Sequence, residues 1–279
     1  MKLDFSKTLV MGILNVTPDS FSDGGDFINP QTAITHAKDM IEQGADILDI
    51  GGESTRPGAQ RVTAKEELDR VLPIITAIRS EFPNTEISID TYKSEVAKQA
   101  ILAGATIIND VSGLQLSDNM AQVAAQLQVP IIINHMKGTP ETMQKGEIIY
   151  KDVIEEITAF FAEKIKLLEE SGVKKENIIL DPGFGFGKTV QHNITMLNHL
   201  DRFKKFGLPI LIGLSRKSTL GKLLQENFNR EFSPKERLSA SLAATAIAIQ
   251  NGASIMRTHD VLETKQFVTI LDTIRSQRQ

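Results

Sequence analysis

The stretch of sequence that decides the fold is residues 87–135, ISIDTYKSEVAKQAILAGATIINDVSGLQLSDNMAQVAAQLQVPIIINH. It holds three short apolar runs, at residues 87–91, 106–111 and 130–135. Amphipathic segments with the spacing of helices lie between them. The runs are rich in isoleucine and do not alternate with polar residues, which is typical of parallel strands buried on both faces. The stretch therefore predicts successive strand–helix units of a parallel sheet.

The same unit recurs along the rest of the chain. Further apolar runs lie at residues 8–16, 46–51, 178–181, 209–215 and 254–259. The helical patterns that follow the runs lie at residues 30–43, 64–81, 94–103, 119–128, 151–170, 189–200, 218–225 with 234–250, and 261–276. After three of these helices, Gly44, Gly104 and Gly252 predict a left-handed helix end before the next strand.

Eight alternations of strand and helix predict an α/β fold, the (β/α)8 or TIM barrel. The chain has 279 residues, and about 250 residues are typical of one such barrel. No Ser/Gly-rich linker interrupts the sequence, so we expect residues 1–279 to form a single domain. An open doubly wound sheet is the alternative. The eight regular units, without a second domain, favour the closed barrel.

Composition excludes several classes of protein. Hydrophobic residues make up 41% of the chain and charged residues 24%, as in soluble globular proteins. The net charge of −4 argues against a nucleic-acid partner. The absence of cysteine excludes disulfides and thiolate metal sites. The sequence contains neither an apolar run long enough to span a membrane nor a signal-peptide pattern at its start, and we therefore expect a cytoplasmic protein.

Polar residues gather where the predicted strands end. In barrels of this kind the active site lies at the C-terminal ends of the strands. A single aspartate there could be a helix cap or a paired core carboxylate, but eight polar strand ends together predict a ligand site. These ends are Asn15, residues 51–58, Asp90, Asn109 with Asp110, Asn134 with His135, Asp181, residues 215–218 and residues 257–259.

Two chemistries can be separated among these ends. Asp90, Asn109, Asp181 and Lys217 offer hydrogen-bond acceptors and donors, which suit a flat heterocycle with an amino-pyrimidinone edge. A second group comes from strands one, two and eight, which are neighbours in a closed barrel, and suits a phosphate-like anion. Oxygen ligands beside that anion could hold Mg²⁺. The second group consists of Asn15, Arg56, Arg257 and His259.

The glycine-rich segment at residues 183–188, GFGFGK, lacks the spacing of a nucleotide-binding loop. We interpret it as a tight turn after the sixth strand, whose Phe186 stacks on an aromatic ligand. Residues 17–25 and 53–59 form long loops at the same end, which are surface connections or lids. Phe21 could cover an aromatic substrate. His135 ends the fifth strand, and its role stays open.

Several strings in the sequence closely resemble the signatures of dihydropteroate synthases. The resemblance covers essentially the whole chain, in order, and no motif position departs from it. The matching strings are MGILNVTPDSFSDGG at residues 11–25, DIGGESTRPG at 49–58, IDT at 89–91, IND at 108–110, DPGFGFGK at 181–188, SRKS at 215–218 and RTH at 257–259.

The resemblance implies a transferase of folate biosynthesis that joins 4-aminobenzoate to a pterin diphosphate and releases pyrophosphate. It implies a pterin site at Asp90, Asn109, Asp181 and Lys217. It implies a pyrophosphate and Mg²⁺ site at Asn15, Arg257 and His259, beside Arg56, with Asn15 as a metal ligand. The aminobenzoate pocket that it implies consists of Phe21, Thr55, Arg56, Pro57, Phe186, Lys217 and Ser218. We expect Asp90, Asp181, Lys217 and Arg257 to be the catalytic residues.

The expected mechanism is ionisation of the pterin CH₂–O bond, followed by attack of the arylamine. A homodimer is also implied by the resemblance. One alternative is a pterin-binding barrel that transfers a methyl group to a corrinoid protein, which would have no use for residues 215–218 and 257–259. Another is a pterin-binding barrel without catalytic activity, which the complete set of polar groups disfavours.

Overall fold

The structure is a computed structural model that describes residues 3–17, 30–54, 61–139, 141–143 and 146–277. The strands are β1 (Leu9–Asn15), β2 (Ile47–Gly51), β3 (Glu86–Asp90), β4 (Ile107–Asp110), β5 (Ile131–Asn134), β6 (Ile178–Asp181), β7 (Leu211–Gly213) and β8 (Ile255–Thr258). The α-helices of the described residues are α1 (Pro30–Glu42), α2 (Ala64–Glu81), α3 (Ser94–Leu102), α4 (Met120–Leu127), α5 (Val153–Glu170), α6 (Val190–Asn198), α7 (Ser218–Phe228), α8 (Leu238–Gln250) and α9 (Val261–Ser276).

All paired strands run parallel, and their order closes into a ring. β1 pairs with both β2 and β8, the ladder continues from β2 through β6 in chain order, and β8 pairs with β7. A parallel bridge between Leu180 and Ile210 joins β6 to the start of β7. There the N–H of Leu180 donates to the carbonyl oxygen of Pro209 at 2.9 Å. This seam confirms the (β/α)8 barrel and excludes the open sheet.

Both faces of the strands are buried, which explains why the apolar runs do not alternate with polar residues. One face packs against the helices; Leu48 and Ile50 of β2, for example, are fully buried there. The opposite face fills the barrel interior. Side chains of one face recur at every second residue. The interior apolar layer consists of Leu9, Met11, Ile47, Ile107, Ile132, Ile179, Leu211 and Ile255, with Leu3 packed against it.

Local signals set the ends of several helices. Thr63 accepts a hydrogen bond from the N–H of Glu66 and begins α2 with a capping box. Asp152 caps α5 in a similar way. Glycines in the left-handed region follow α1, α3 and α8, with φ values of 95° at Gly44, 118° at Gly104 and 106° at Gly252. The three predicted left-handed helix ends are therefore confirmed.

Two predicted elements differ from the structure. The run at residues 209–215 forms a strand only over Leu211–Gly213. Pro209 has no N–H to donate to a ladder, and the N–H of Lys217 donates to the oxygen of Leu214 in a turn. The helix predicted at residues 234–250 begins as a 3₁₀ turn, Pro234–Arg237, and becomes α-helical from Leu238.

A cavity of about 380 Å³ lies at the amino-terminal ends of the strands. Glu86 begins β3, Ile107 begins β4, and both line it. The polar strand ends lie at the opposite end of the barrel, so this cavity is separate from the predicted site. Within the described residues, no helix has the length and apolar character needed to cross a membrane.

Candidate active site

The strand register places the predicted polar residues at one level of the barrel. Asn15 of β1 is opposite Gly51 of β2, and Gly51 is opposite Asp90 of β3. Asp90 is in turn opposite Asn109 of β4. Farther around the ring, Asp181 ends β6, and Arg257 lies in β8. The carboxyl ends of the strands therefore share one mouth.

Arg257 joins two carboxylates at this mouth. Its Nε lies 2.6 Å from Oδ2 of Asp49, and its Nη2 lies 2.7 Å from Oδ2 of Asp90. Asn109 donates from Nδ2 to the two oxygens of Asp49 at 3.1 and 3.3 Å. Although burial lowers the pKa of Arg257, the charges of Asp49 and Asp90 raise it above its usual range. The guanidinium is therefore charged throughout the physiological range.

Asp90 is only partly satisfied by these contacts. Its Oδ2 binds Arg257, but within the described part of the chain its buried Oδ1 has no hydrogen-bond partner. Burial raises the pKa of Asp90 to about 7, against the opposing charge of Arg257. A buried acceptor without a donor is costly, so a ligand that donates a hydrogen bond to Oδ1 would be favoured.

Asp181 faces three cations. Its Oδ1 accepts a hydrogen bond from the N–H of Gly183 at 2.8 Å. Burial raises the pKa of this carboxyl, while the N–H of Gly183 and the charges of Lys217, Arg257 and Lys188 act in the opposite direction. Asp181 thus lies in a positive field at the end of β6, which favours its carboxylate form against the effect of burial.

Lys217 and Phe186 are in contact at the mouth. The Lys217 ammonium lies 4.3 Å from the centroid of the Phe186 ring, within the range of a cation–π contact. Burial and the nearby charge of Arg257 lower the pKa of Lys217 to about 8, against the carboxylates of Asp181 and Asp90. Ser218 follows as the first residue of α7 and is exposed, so the predicted helix start at this position is confirmed.

His259 lies beyond the end of β8, in contact with the loop after β7. Its Nδ1 is 3.1 Å from Oγ of Ser215, and its backbone N–H donates to the same oxygen at 3.2 Å. Ser215 also contacts Oδ2 of Asp260 at 3.3 Å, and Asp260 forms an ion pair with Arg216 at 2.5 Å. This network fixes the imidazole of His259 at the rim of the mouth.

A further charged network follows the ends of β2 and β3. Lys93 forms ion pairs with Glu53 and with Glu67, the latter at 2.5 Å. The hydroxyl of Tyr92 donates to Oε1 of Glu53 at 2.9 Å. Glu53 and Glu67 are both buried. The network therefore anchors the chain just before residues 55–60, which lie outside the described residues.

Comparison with known proteins agrees with this geometry. The sequence matches the family of pterin binding enzymes over residues 11–259. The dihydropteroate synthase of Synechocystis sp. (strain ATCC 27184 / PCC 6803 / Kazusa) is 49% identical over 268 residues, which are 96% of this chain and 90% of that protein.

The chain belongs to the dihydropteroate synthase family of pterin-binding enzymes.

Solved dihydropteroate synthases share its architecture. The Yersinia pestis enzyme, solved with a sulfonamide drug complex, superposes with a TM-score of 0.90 at 44% identity and covers 98% of this chain and 96% of its own. The Xanthomonas albilineans enzyme, solved with 4-aminobenzoic acid, has a TM-score of 0.89 at 42% identity, with coverages of 98% and 95%. The predicted fold class and family are confirmed.

Several of the predicted site residues can be placed, and others cannot. The mouth brings together Asp90, Asn109, Asp181, Lys217 and Arg257, and Asn15 lies half-buried at the end of β1. Asp110, which follows Asn109, accepts hydrogen bonds from the N–H groups of Ser112 and Leu114 and caps its own loop. The predicted aminobenzoate residues Phe21, Thr55, Arg56 and Pro57 lie outside the described residues.

Sequence reasoning missed three buried residues of this site. Asp49 is fully buried and binds Arg257, and its signal was an aspartate inside the apolar run at residues 46–51. Lys188 donates to Nδ1 of His135 at 2.9 Å, which gives His135 a structural role. Asn193 accepts from the N–H of Gly185 and donates to Thr219, so it ties the loop after β6 to α7.

The turn after β6 should not tolerate a side chain at Gly183. Gly183 has a φ of 71°, and a Cβ there would lie 2.0 Å from the carbonyl oxygen of His135. Gly207 has a similar φ of 67° with nothing within 4 Å of such a Cβ. We expect Gly183→Ala to lower the melting temperature and activity far more than Gly207→Ala does, as thermal unfolding and turnover assays would measure. Equal losses in the two variants would contradict the proposed clash.

Proposed function

We propose that this chain is a transferase that condenses 6-hydroxymethyl-7,8-dihydropterin diphosphate with 4-aminobenzoate to give 7,8-dihydropteroate and pyrophosphate. The single observation that carries the proposal is a buried set of acceptors beside cations, with Oδ1 of Asp90 lacking a donor among the described residues. An amino-pyrimidinone edge supplies donors of this kind. The name of its family and the 4-aminobenzoic acid bound by the Xanthomonas relative support the same substrates.

In this proposal the pterin ring lies at the level of Asp90 and Asn109. The ring N–H groups donate to Oδ1 of Asp90 and to Asp181, and Lys217 donates to a ring acceptor. Each of these carboxylates has a pKa that burial raises, and donors from a ligand favour the ionised form. Binding the pterin therefore supplies the donor that Oδ1 of Asp90 lacks among the described residues.

The reaction begins with heterolysis of the pterin CH₂–O bond. The bonding electron pair leaves with the oxygen of pyrophosphate, and the methylene carbon becomes cationic. The carboxylates of Asp90 and Asp181 offset this charge, which grows in the transition state. The lone pair of the 4-aminobenzoate nitrogen then forms the new C–N bond, and the nitrogen releases a proton to solvent. A neutral arylamine is already nucleophilic, so no strong base is needed.

Pyrophosphate is held in this proposal by Arg257, His259 and Asn15, with Arg56 from the second loop. Arg257 uses two of its nitrogens for carboxylates, and a guanidinium has further N–H donors for phosphate oxygens. These donors stabilise the negative charge that develops on the leaving oxygen.

Mg²⁺ is a proposed cofactor, with Asn15 as its protein ligand. Within the described residues, no group of three or more His, Cys, Asp or Glu side chains is arranged to hold a metal ion. Mg²⁺ commonly keeps water and substrate phosphate oxygens and binds few protein groups, so one amide oxygen fits such a site. When bound, the ion would neutralise charge on the diphosphate.

The aminobenzoate pocket is proposed at Phe186, Lys217 and Ser218. The ammonium of Lys217 lies over the Phe186 ring, which puts an aromatic ring and a cation at one edge of the mouth. Ser218 begins α7, and free N–H groups at a helix start favour a carboxylate. Phe21, Thr55, Arg56 and Pro57 complete the pocket in the proposal. The first two loops would exclude water that otherwise traps the cation.

A pyrophosphate assay tests the function directly. We expect the purified protein to release one pyrophosphate for each 7,8-dihydropteroate formed when pterin diphosphate, 4-aminobenzoate and Mg²⁺ are all present. Omitting 4-aminobenzoate should abolish pteroate formation. A protein that binds the pterin but releases no pyrophosphate would be a binding module, and methyl transfer from a methyl-folate to a corrinoid would indicate the other barrel class; either result would refute the proposal.

We also propose that the protein works in the cytoplasm as a homodimer. Helix α8 is almost wholly Ala, Ile, Leu, Ser and Thr, and its Ile247 is 39% exposed. A helix that is apolar on most of its faces is buried either against its own barrel or in a subunit contact. Sedimentation velocity would give the mass in solution.

A further inference from the structure

Lys188 carries a charged group into the interior of the protein. The residue is 3% exposed. Its ammonium lies 2.9 Å from Nδ1 of His135 and 3.3 Å from the carbonyl oxygen of the same residue. It also lies 3.0 Å from the oxygen of Gly183 and 3.1 Å from that of Phe186. Burying an ammonium is costly unless acceptors surround it, and here four acceptors do.

These acceptors belong to two segments of the active end. His135 follows β5, whereas Gly183 and Phe186 close a turn after β6, with the N–H of Phe186 donating to the oxygen of Gly183 at 3.0 Å. The N–H of Gly183 donates to Asp181, and the ring of Phe186 lies under the ammonium of Lys217. The Lys188 ammonium thus contacts the backbone of the turn. This turn positions three proposed substrate-binding groups, Asp181, Phe186 and Lys217.

We propose that Lys188 is a positioning residue for the reaction: by holding the turn at residues 183–186 against the end of β5, it fixes Asp181 and the pair of Phe186 and Lys217. The inference rests on the proposed function because those groups are the proposed substrate ligands. It assigns a role to the lysine of GFGFGK that differs from phosphate binding, since its ammonium points into the protein and not into the mouth.

His135 is suited to accept a hydrogen bond from Lys188. Burial and the charge of Lys188 lower the pKa of His135 to about 2, so its ring is neutral and Nδ1 can be an acceptor. The ring packs edge-on against Phe160 with centroids 5.0 Å apart. Tyr150, next to it, donates from its hydroxyl to the oxygen of Gly187 at 2.9 Å. The rings of Phe160 and Tyr150 therefore pack against the imidazole that accepts from Lys188.

The charge of Lys188 acts on Asp181 as well. The cations facing Asp181 are Lys188, Lys217 and Arg257. The charged groups facing Lys188 are Asp181, Lys217 and Lys137. Burial lowers the pKa of Lys188 to about 7, against the attraction of Asp181. In return, its charge lowers the pKa of Asp181 and favours the ionised carboxylate. An uncharged side chain at position 188 would remove the hydrogen bonds from Lys188 to the turn. It would also remove the positive charge that favours the Asp181 carboxylate.

The test compares Lys188→Met with Lys175→Met. Methionine is unbranched and only one atom shorter than lysine, and it carries no charge; Lys175 is an exposed lysine just before β6. For Lys188→Met we expect kcat/KM for the pterin diphosphate to fall about 10²-fold, since a displacement of about 1 Å in an active site costs that much. We also expect the acid limb of its pH profile to move to higher pH, because Asp181 loses a positive neighbour. Lys175→Met should retain wild-type values.

Two further measurements keep the inference falsifiable. His135→Leu removes the side-chain acceptor and keeps the backbone acceptor of the same residue, so we expect smaller shifts in the same direction. This variant carries the test if Lys188→Met does not fold. NMR titration of the Asp181 carboxyl, with Asp181→Asn to assign the signal, reads the electrostatic effect without turnover. Folded variants with wild-type kcat/KM for the pterin diphosphate and an unmoved Asp181 titration would overturn the inference. If the wild-type protein released no pyrophosphate, the proposed function would fail while the NMR titration still decided the role of Lys188.

Discussion

Asp181→Asn and Lys217→Ala should each reduce the rate of pyrophosphate release by on the order of 10²–10³-fold, the effect of removing one preorganised electrostatic group. Asparagine keeps the shape of Asp181 but removes the charge that offsets the cationic methylene carbon. Alanine removes a cation that contacts the Phe186 ring. Steady-state release of pyrophosphate, with 4-aminobenzoate saturating, measures both losses. Wild-type rates in both variants would end the proposed mechanism.

Matched controls separate these effects from loss of charge in general. Lys222 lies on the exposed face of α7, and Asp201 is exposed in the 3₁₀ helix Leu200–Phe206. Lys222→Ala and Asp201→Asn should therefore leave the rate unchanged. The wild-type rate should fall as the pH rises through about 8, where Lys217 loses its proton. Circular dichroism of each variant would establish that the barrel is intact.

Arg257→Met should destabilise the protein as well as inactivate it. Asp49 is fully buried and Asp90 is 8% exposed, and the substitution leaves both without their cation. Breaking a buried ion pair by removing one partner costs about 3–5 kcal/mol. We therefore expect the free energy of unfolding to fall by roughly this amount at pH 8, as measured by urea denaturation. A loss no larger than that of an exposed pair would show that the ion pairs contribute little.

The pH dependence of this loss follows from Asp90. Its folded-state pKa of about 7 lies above the ordinary aspartate value of 3.8, so the folded state binds more protons than the unfolded state between these values. Stability from this group is therefore lost as the pH rises through that window. Removing the charge of Arg257 raises the pKa of Asp90 further, and the loss should be larger at pH 8 than at pH 5.

Two control variants isolate the buried charges. Adding Asp49→Asn to Arg257→Met removes one unpaired carboxylate, so the double variant should recover part of the stability but none of the activity. Arg230 pairs with Glu236 at the surface, at 2.9 Å with both side chains about half exposed. Solvent weakens such a pair, and Arg230→Met should change the unfolding midpoint little. A double variant less stable than Arg257→Met would contradict this interpretation.

The sequence was sufficient for the architecture because the barrel repeats one local pattern. Apolar runs buried on both faces, amphipathic helices and left-handed glycines are each visible within a few residues, and eight repetitions specify the ring. The strand ends then follow from parallel pairing, which brings Asp90, Asn109, Asp181 and Lys217 to one end. Element boundaries were less accurate at β7, where Pro209 and a turn at Leu214 shorten the strand.

Asp49 and Lys188 were missed for the same physical reason: their partners are distant in sequence. Arg257 and Asp49 are 208 residues apart, and a buried aspartate in a strand carries no local sign of its partner. Lys188 occurs within a recognisable motif, but its partner His135 lies 53 residues earlier. Only the packing of β5 against β6 brings them together. Local patterns predicted which residues would meet at the mouth, whereas the contacts that hold them depend on the closed ring.

The apolar layer inside the barrel also determines how molecules reach the site. Leu9, Met11, Ile47 and their five partners are nearly inaccessible to water. They lie between the charged level of Asp49 and the cavity at the opposite end of the strands. Nothing polar can cross this layer without losing its hydration. Substrates and products must therefore enter and leave at the carboxyl ends of the strands. The two substrates and the two products all use this one entrance.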